Sequence, residues 1–231
     1  MRDNAGVLDA TGRPRRVLAE TVRRLPRQVL LPGVAIYALI VALGLLLTQV
    51  LESTTTEDAV SRALVEGRSD GWTTVTGFFG MLSNTPAIIA TMVVTAIVLR
   101  LAFHRWREPI MVITAVSLQV VIFLLTAMVI NRKRPDVPKL DEAPPTSSFP
   151  SGHTGAATAL YLAIALIILW HLRRGTLKVI ALTVLVAIPL AVAVSRLYRG
   201  MHHPTDVLVG FINGFACLAV ATRAYLLDRR E

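Results

Sequence analysis

The chain has 231 residues, 54% of them hydrophobic, and a formal net charge of +9. A mean hydropathy of +0.59 is too high for an ordinary soluble domain. A single cysteine, Cys217, rules out a disulfide within one chain and reads as a small apolar filler.

Residues 1–28 are rich in arginine, Arg13, Arg15, Arg16, Arg23, Arg24 and Arg27 among them, and read as a basic cytoplasmic tail. Six apolar runs follow, at approximately 29–51, 86–103, 108–130, 154–172, 177–195 and 205–227. Each is close to the roughly 20 residues that cross a bilayer core. Lipid cannot satisfy backbone polar groups, so each run must be helical. The alternation of a barrel strand is absent. The first run is longer than a signal-peptide core and leads into "TQVLEST" with no cleavage pattern, so it is expected to stay as an anchor. The fold class expected is therefore all-α: a six-transmembrane-helix bundle, with residues 29–231 as one membrane-embedded domain.

Between the first two runs, residues 52–85 are acidic and hold two amphipathic stretches. Thr54 and Glu57 form a capping-box pattern, with Val60 and Leu64 on one face. Trp72, Val75, Phe79 and Leu82 then recur at helical spacing. Both stretches read as short interfacial helices, serving as anchors or as a lid over substrate entry. Pro189 is expected to break the fifth run.

The placement of charge sets an orientation. The tail, the connections holding Arg100, Arg105 and Arg107 and then Arg173, Arg174 and Lys178, and the C-terminus with Arg223, Arg229 and Arg230 fall on one side if six helices alternate. The positive-inside rule makes that side cytoplasmic, with both termini inside a plasma (inner) membrane. The basic charge is an orientation signal and not a nucleic-acid footprint; it can also touch anionic lipid.

Two connections break the trend. Residues 131–153 and 195–205 lie on the opposite side, yet hold Arg132, Lys133, Arg134, Lys139, Arg196 and Arg199. A cationic patch there suggests an anion-binding surface. Three clusters meet at it: "NRKRP" at 131–135, "PSGH" at 150–153 and "SRLYRGMHHPTD" at 195–206. Ser151 is a natural N-cap for the fourth span, and Gly152 lets backbone N–H groups approach a ligand. Pro204 suits the first turn of the sixth span. Helix N-termini favour phosphate, and arginines add charge-assisted hydrogen bonds to phosphoryl oxygens. His202 precedes Asp206 by four residues, so the carboxylate can accept from one ring nitrogen and leave the other as a nucleophile. His153, on another helix, can protonate a leaving oxygen. His202, His203 and Asp206 could be read as a metal set, but no Glu or Cys ligand accompanies them.

"PSGH" and "SR-x5-H-x3-D" resemble the second and third signatures of the type 2 phosphatidic-acid phosphatase family, which shares its site with vanadium-dependent haloperoxidases. Arg134-Pro135 resembles the end of the first signature. The six-span plan matches as well. The resemblance implies a membrane lipid phosphatase in which His202 becomes a phosphohistidine, Asp206 orients it and His153 is the general acid. Arg134, Ser151, Gly152 and Arg196 would hold phosphoryl oxygens, without metal or cofactor. The substrate would be a lipid phosphate or diphosphate, a polyprenyl diphosphate or a phosphatidic-acid-type glycerolipid, hydrolysed outside the cytoplasm.

One position departs from the pattern. The family carries a lysine seven residues before the arginine of "RP", and that position is Ala127. An extended backbone before Pro135 would turn Arg132 and Arg134 to one side and Lys133 away, so Arg132 is expected to supply the absent charge. Two other readings stand beside the phosphatase. An anionic-lipid transporter or flippase would place ionisable groups near the bilayer midplane, where this chain has none. A catalytically inactive scaffold is suggested by Ala127 alone.

Overall fold

The structure, a computed structural model, describes residues 25–50 and 55–227. The basic tail up to residue 24 and Thr54 of the expected capping box lie outside the described residues. Eight α-helices are present among them: α1 Leu31–Leu45, α2 Thr55–Glu66, α3 Asp70–Leu82, α4 Thr85–Phe103, α5 Arg107–Val129, α6 Gly152–His171, α7 Thr176–Tyr198 and α8 Pro204–Thr222. The wider turns of π-helix at Leu25–Leu30 and Leu46–Val50 extend α1, and Arg223–Leu227 extends α8. No strand occurs among the described residues.

Six of these helices, with their extensions, are long and apolar enough to cross a membrane: Arg27–Gln49, Thr85–Phe103, Arg107–Val129, Gly152–His171, Thr176–Tyr198 and Pro204–Leu227. They match the six runs to within about three residues. α2 and α3 are the two short helices expected between the first and second spans.

Local chemistry sets the helix starts. Ser69 caps α3 by accepting from the Trp72 N–H at 3.4 Å, and Asn84 caps α4 by accepting from Ala87 at 2.9 Å. Pro204 opens α8, where its missing N–H costs nothing. α7 runs unbroken from Thr176 to Tyr198 through Pro189, contrary to the expected break. The turn between α7 and α8 needs Gly200: its φ is +71°, and a Cβ there would meet Val137 Cγ2 at 2.9 Å.

α6 is the central helix, packed against α5, α7 and α8. Its small residues Ala156, Ala157, Ala159 and Ala163 are buried, and α8 approaches it through Gly210 and Gly214. A Cβ on Gly210 would lie 2.7 Å from the Ser151 carbonyl oxygen. By contrast α4 and α7 turn large apolar side chains outward, among them Val94, Leu101, Leu177 and Val179. Side chains of that kind facing out on membrane-length helices suit contact with lipid tails.

Alternating helix directions bring the ends of α5 and α7 and the starts of α6 and α8 to one end of the bundle. At the opposite end Glu108 is buried and pairs with Arg105, with His171 Nε2 3.5 Å away.

Candidate active site

The loop after α5 is stitched to the strand of chain that precedes α6. Ser148 N–H donates to the Arg132 carbonyl at 3.0 Å and Ser148 Oγ to the Lys133 carbonyl at 3.1 Å. Ser151 N–H donates to the Asp206 carbonyl at 2.9 Å. These bonds bring the three sequence clusters together at one end of the bundle.

His202 lies two residues before α8 and is buried. Its Nδ1 is 2.7 Å from the Ser148 carbonyl oxygen, which makes Nδ1–H the donor. The lone pair then sits on Nε2, which has no hydrogen-bond partner among the described residues. The expected Asp206 contact is looser: Nδ1 is 3.7 Å from Asp206 Oδ2. That oxygen accepts from the His203 N–H at 2.8 Å instead, capping α8. Spacing alone suggested Asp206 as orienter; the Ser148 carbonyl is the nearer acceptor, with the Asp206 carboxylate 3.7 Å from the same nitrogen. Ser148 was missed, because a carbonyl acceptor leaves no trace in residue type.

Burial holds the His202 imidazole below its usual range, although the Asp206 carboxylate and the Ser148 carbonyl oppose the shift. Its ordinary value is 6.5. Protonation would occupy the Nε2 lone pair, so activity should fall with falling pH. Because the pKa is lowered, that acid limb should lie below pH 6.5 in a profile of kcat/KM, with a limb above it counting against His202.

His153, in the first turn of α6, is half-buried and lies in the electrostatic field of Arg196, His202, Asp141 and Arg134. Ser151 caps α6 as expected: its Oγ accepts from the Thr154 N–H at 3.4 Å and lies 3.0 Å from Thr154 Oγ1. With its backbone N–H given to Asp206, Ser151 offers less to a phosphoryl group than expected. The N–H groups of Gly152 and His153 have no acceptor among the described residues, so these are the available donors of this helix start. Gly152 also has a packing duty, since a Cβ would come within 2.9 Å of the Phe123 ring.

Arg134 is half-buried, with Nη1 donating to the Met201 carbonyl at 2.7 Å. Burial lowers its pKa while Asp206 raises it. Arg196 is buried; Nη2 donates to Ser195 Oγ at 3.1 Å, Nη1 lies 3.1 Å from Asp141 Oδ2, and Nε is buried without a partner among the described residues.

Arg132 corrects the sequence reading. Lys133 is exposed and Arg132 buried, as an extended backbone requires. Yet the Arg132 guanidinium is held by carboxylates: Nη2 is 2.6 Å from Glu57 Oε2 and Nη1 is 2.5 Å from Asp206 Oδ1. Nη1 also donates to Thr205 Oγ1 at 2.7 Å. Two anions already engage it, so it does not replace the lysine absent at Ala127. Glu57, from α2, accepts from Thr205 N–H at 3.1 Å and thereby caps α8. The start of α8 is thus filled by protein carboxylates and is not a free phosphate cradle.

The interfacial helices do more than anchor. Ser195 Oγ donates to the Thr76 carbonyl at 2.7 Å, and Arg199 Nη1 to the Thr73 carbonyl at 3.1 Å. α3 turns Trp72, Phe78 and Met81 outward and lays Thr76 and Gly80 against α7. A Cβ on Gly80 would stand 2.2 Å from Arg196 Nη2. Gly80→Ala should therefore displace the guanidinium and raise KM about tenfold, with a much smaller change in melting temperature. An unchanged KM would show that Arg196 can yield without cost.

Comparison with known proteins gives the family and the fold. The PAP2 superfamily model matches residues 33–230, and the chain belongs to that superfamily. Phosphatidylglycerophosphatase B of Bacillus subtilis (strain 168) is 39% identical over 87 residues, 37% of this chain and 42% of that protein. The bacitracin transport permease protein BcrC of Bacillus licheniformis is 37% identical over 81 residues, 35% of this chain and 34% of that one. The aligned part thus spans less than half the length of each of these curated relatives. The crystal structure of a transmembrane PAP2-type phosphatidylglycerolphosphate phosphatase from Bacillus subtilis superposes with a TM-score of 0.74 at 24% identity, covering 86% of this chain and 98% of that one. That of Aquifex aeolicus LpxE gives 0.61 at 22% identity, covering 76% and 99%. Both likenesses are of fold.

Proposed function

We propose that the protein hydrolyses a lipid phosphate or diphosphate at the outer face of a bacterial plasma membrane, through a phosphohistidine on His202. The observation that supports it best is the pairing of a His202 ring fixed through Nδ1 by Ser148 with a second histidine, His153, from another helix, both in the field of Arg134 and with Arg196 acting on His153. The names of the two phosphatidylglycerophosphate phosphatases among the similar proteins support a phosphorylated lipid as the substrate class.

In the reaction, the Nε2 lone pair of His202 attacks phosphorus and the bond to the leaving oxygen breaks. His153 gives that oxygen its proton. Water then attacks the phosphohistidine, returning a proton to His153 and releasing phosphate with His202 neutral again. Arg134, Arg196 and the N–H groups of Gly152 and His153 face the charge that grows on the phosphoryl oxygens. Asp206 stabilises positive charge on the His202 ring. The site lies at the bundle end bearing α2 and α3, so a headgroup can enter while its tails stay in lipid. The positive-inside distribution supports the reading that this end faces outside, with both termini cytoplasmic.

The test is a panel of lipid phosphates, including a polyprenyl diphosphate, a phosphatidic acid and a phosphatidylglycerophosphate, assayed for phosphate release by purified protein with and without EDTA. The reading expects release from at least one lipid, little affected by the chelator because arginines supply the positive charge. No release from any, with protein still folded, would leave the scaffold reading in its place.

A further inference from the structure

One carboxylate in the site has no part in the steps above. Asp141, in the loop between α5 and α6, lies with Oδ2 3.1 Å from Arg196 Nη1. Arg199 grips it from the other side, with Nε 2.8 Å from Oδ2 and Nη2 2.6 Å from Oδ1. Arg199 also donates to the Leu140 carbonyl at 3.2 Å and accepts from the Leu140 N–H through its own carbonyl at 3.1 Å. Arg68 Nη1 donates to the Pro138 carbonyl at 2.7 Å. The loop tip is thus tied down at several points that do not involve Arg196.

Resting on the phosphatase reading, we propose that Asp141 is a built-in competitor for the substrate phosphoryl group: a carboxylate held on Arg196 that a phosphoryl oxygen must displace from Nη1. The charges are matched for this. Burial alone would raise the Asp141 pKa, but Arg199 and Arg196 outweigh it and keep the carboxylate ionised. Displacement needs only one contact to break, because Arg199 retains its two bonds and the carboxylate stays in place beside the bound phosphoryl. A fixed anion at that distance repels any anion at the site, so substrate and released phosphate are both weakened. Asp141 therefore limits the affinity of the site for phosphoryl groups and speeds product departure.

The experiment compares wild type with Asp141→Asn, which keeps an oxygen for Arg199 while removing the charge. KM for the best lipid phosphate of the panel and Ki for inorganic phosphate are measured together. Both should fall about tenfold, the scale of one hydrogen bond to a charged group. If the asparagine variant does not fold, Asp141→Ser takes its place with the same expectation. A KM and Ki that stay unchanged or rise would overturn the proposal and make Asp141 a support for Arg196. The wild type separates the two claims. Wild-type turnover without tighter binding in the variants defeats only the role of Asp141, whereas a wild type with neither turnover nor phosphate binding defeats the phosphatase reading itself.

Discussion

His202→Ala should lower lipid phosphate turnover by about 10⁴-fold or more, the scale on which loss of a covalent nucleophile is felt. The residue lies ahead of α8 and outside the apolar core, so the fold should persist. Its one strong hydrogen bond is to the Ser148 carbonyl, and water can replace that donor. Melting in detergent should therefore shift by only a few degrees. Asp206→Asn is the informative companion. With Asp206 3.7 Å from Nδ1 and the Ser148 carbonyl at 2.7 Å, the asparagine variant should retain more activity than His202→Ala. Equal, complete losses from both would mean that Asp206 holds the tautomer after all.

Arg132→Ala should be the most destabilising single change near the site, by about 3–5 kcal/mol, because it leaves two buried carboxylates without their partner. Glu57 and Asp206 both contact this guanidinium, and Asp206 is fully buried. Activity would be lost through collapse around Asp206 and the α8 start, not through a missing phosphate ligand. Two consequences distinguish these causes. Ala127→Lys should not rescue Arg132→Ala. Arg132→Met combined with Glu57→Gln should recover part of the melting temperature, since one uncompensated charge is gone. A variant that melts like wild type and regains activity with Ala127→Lys would restore Arg132 to the phosphate cradle.

The six spans were legible because lipid imposes length and polarity on any crossing helix, and every run was read within a few residues. The meeting of "NRKRP", "PSGH" and the His202–Asp206 segment was legible from alternation alone. Ser148 and Glu57 were not. Ser148 acts through a carbonyl that any residue would offer. Glu57 reaches Arg132 because α2 folds back over the start of α8, a contact across 75 positions that no local pattern announces. The alternation argument at Arg132, Lys133 and Arg134 was sound about side-chain direction. It could not say which acceptor waited there. Likewise the four-residue spacing of His202 and Asp206 brought them near each other across the start of α8 at Pro204, but could not show that the Ser148 carbonyl lies nearer to Nδ1. The spacing in α3 left open which residues meet the bundle: Trp72, Val75, Phe78 and Met81 face outward, Phe79 packs partly against the core, and small Gly80 and Thr76 lie against α7, where the neighbour is an arginine-bearing helix end.

The most direct test of the covalent step is a single turnover with a lipid whose terminal phosphoryl group carries radioactive phosphorus, quenched in alkali, where phosphohistidine survives. The account predicts a transient label on the peptide containing His202, held on Nε2, absent from His202→Ala and decaying as free phosphate appears. Hydrolysis at full rate with no label at His202, or with the label on His153, would contradict it.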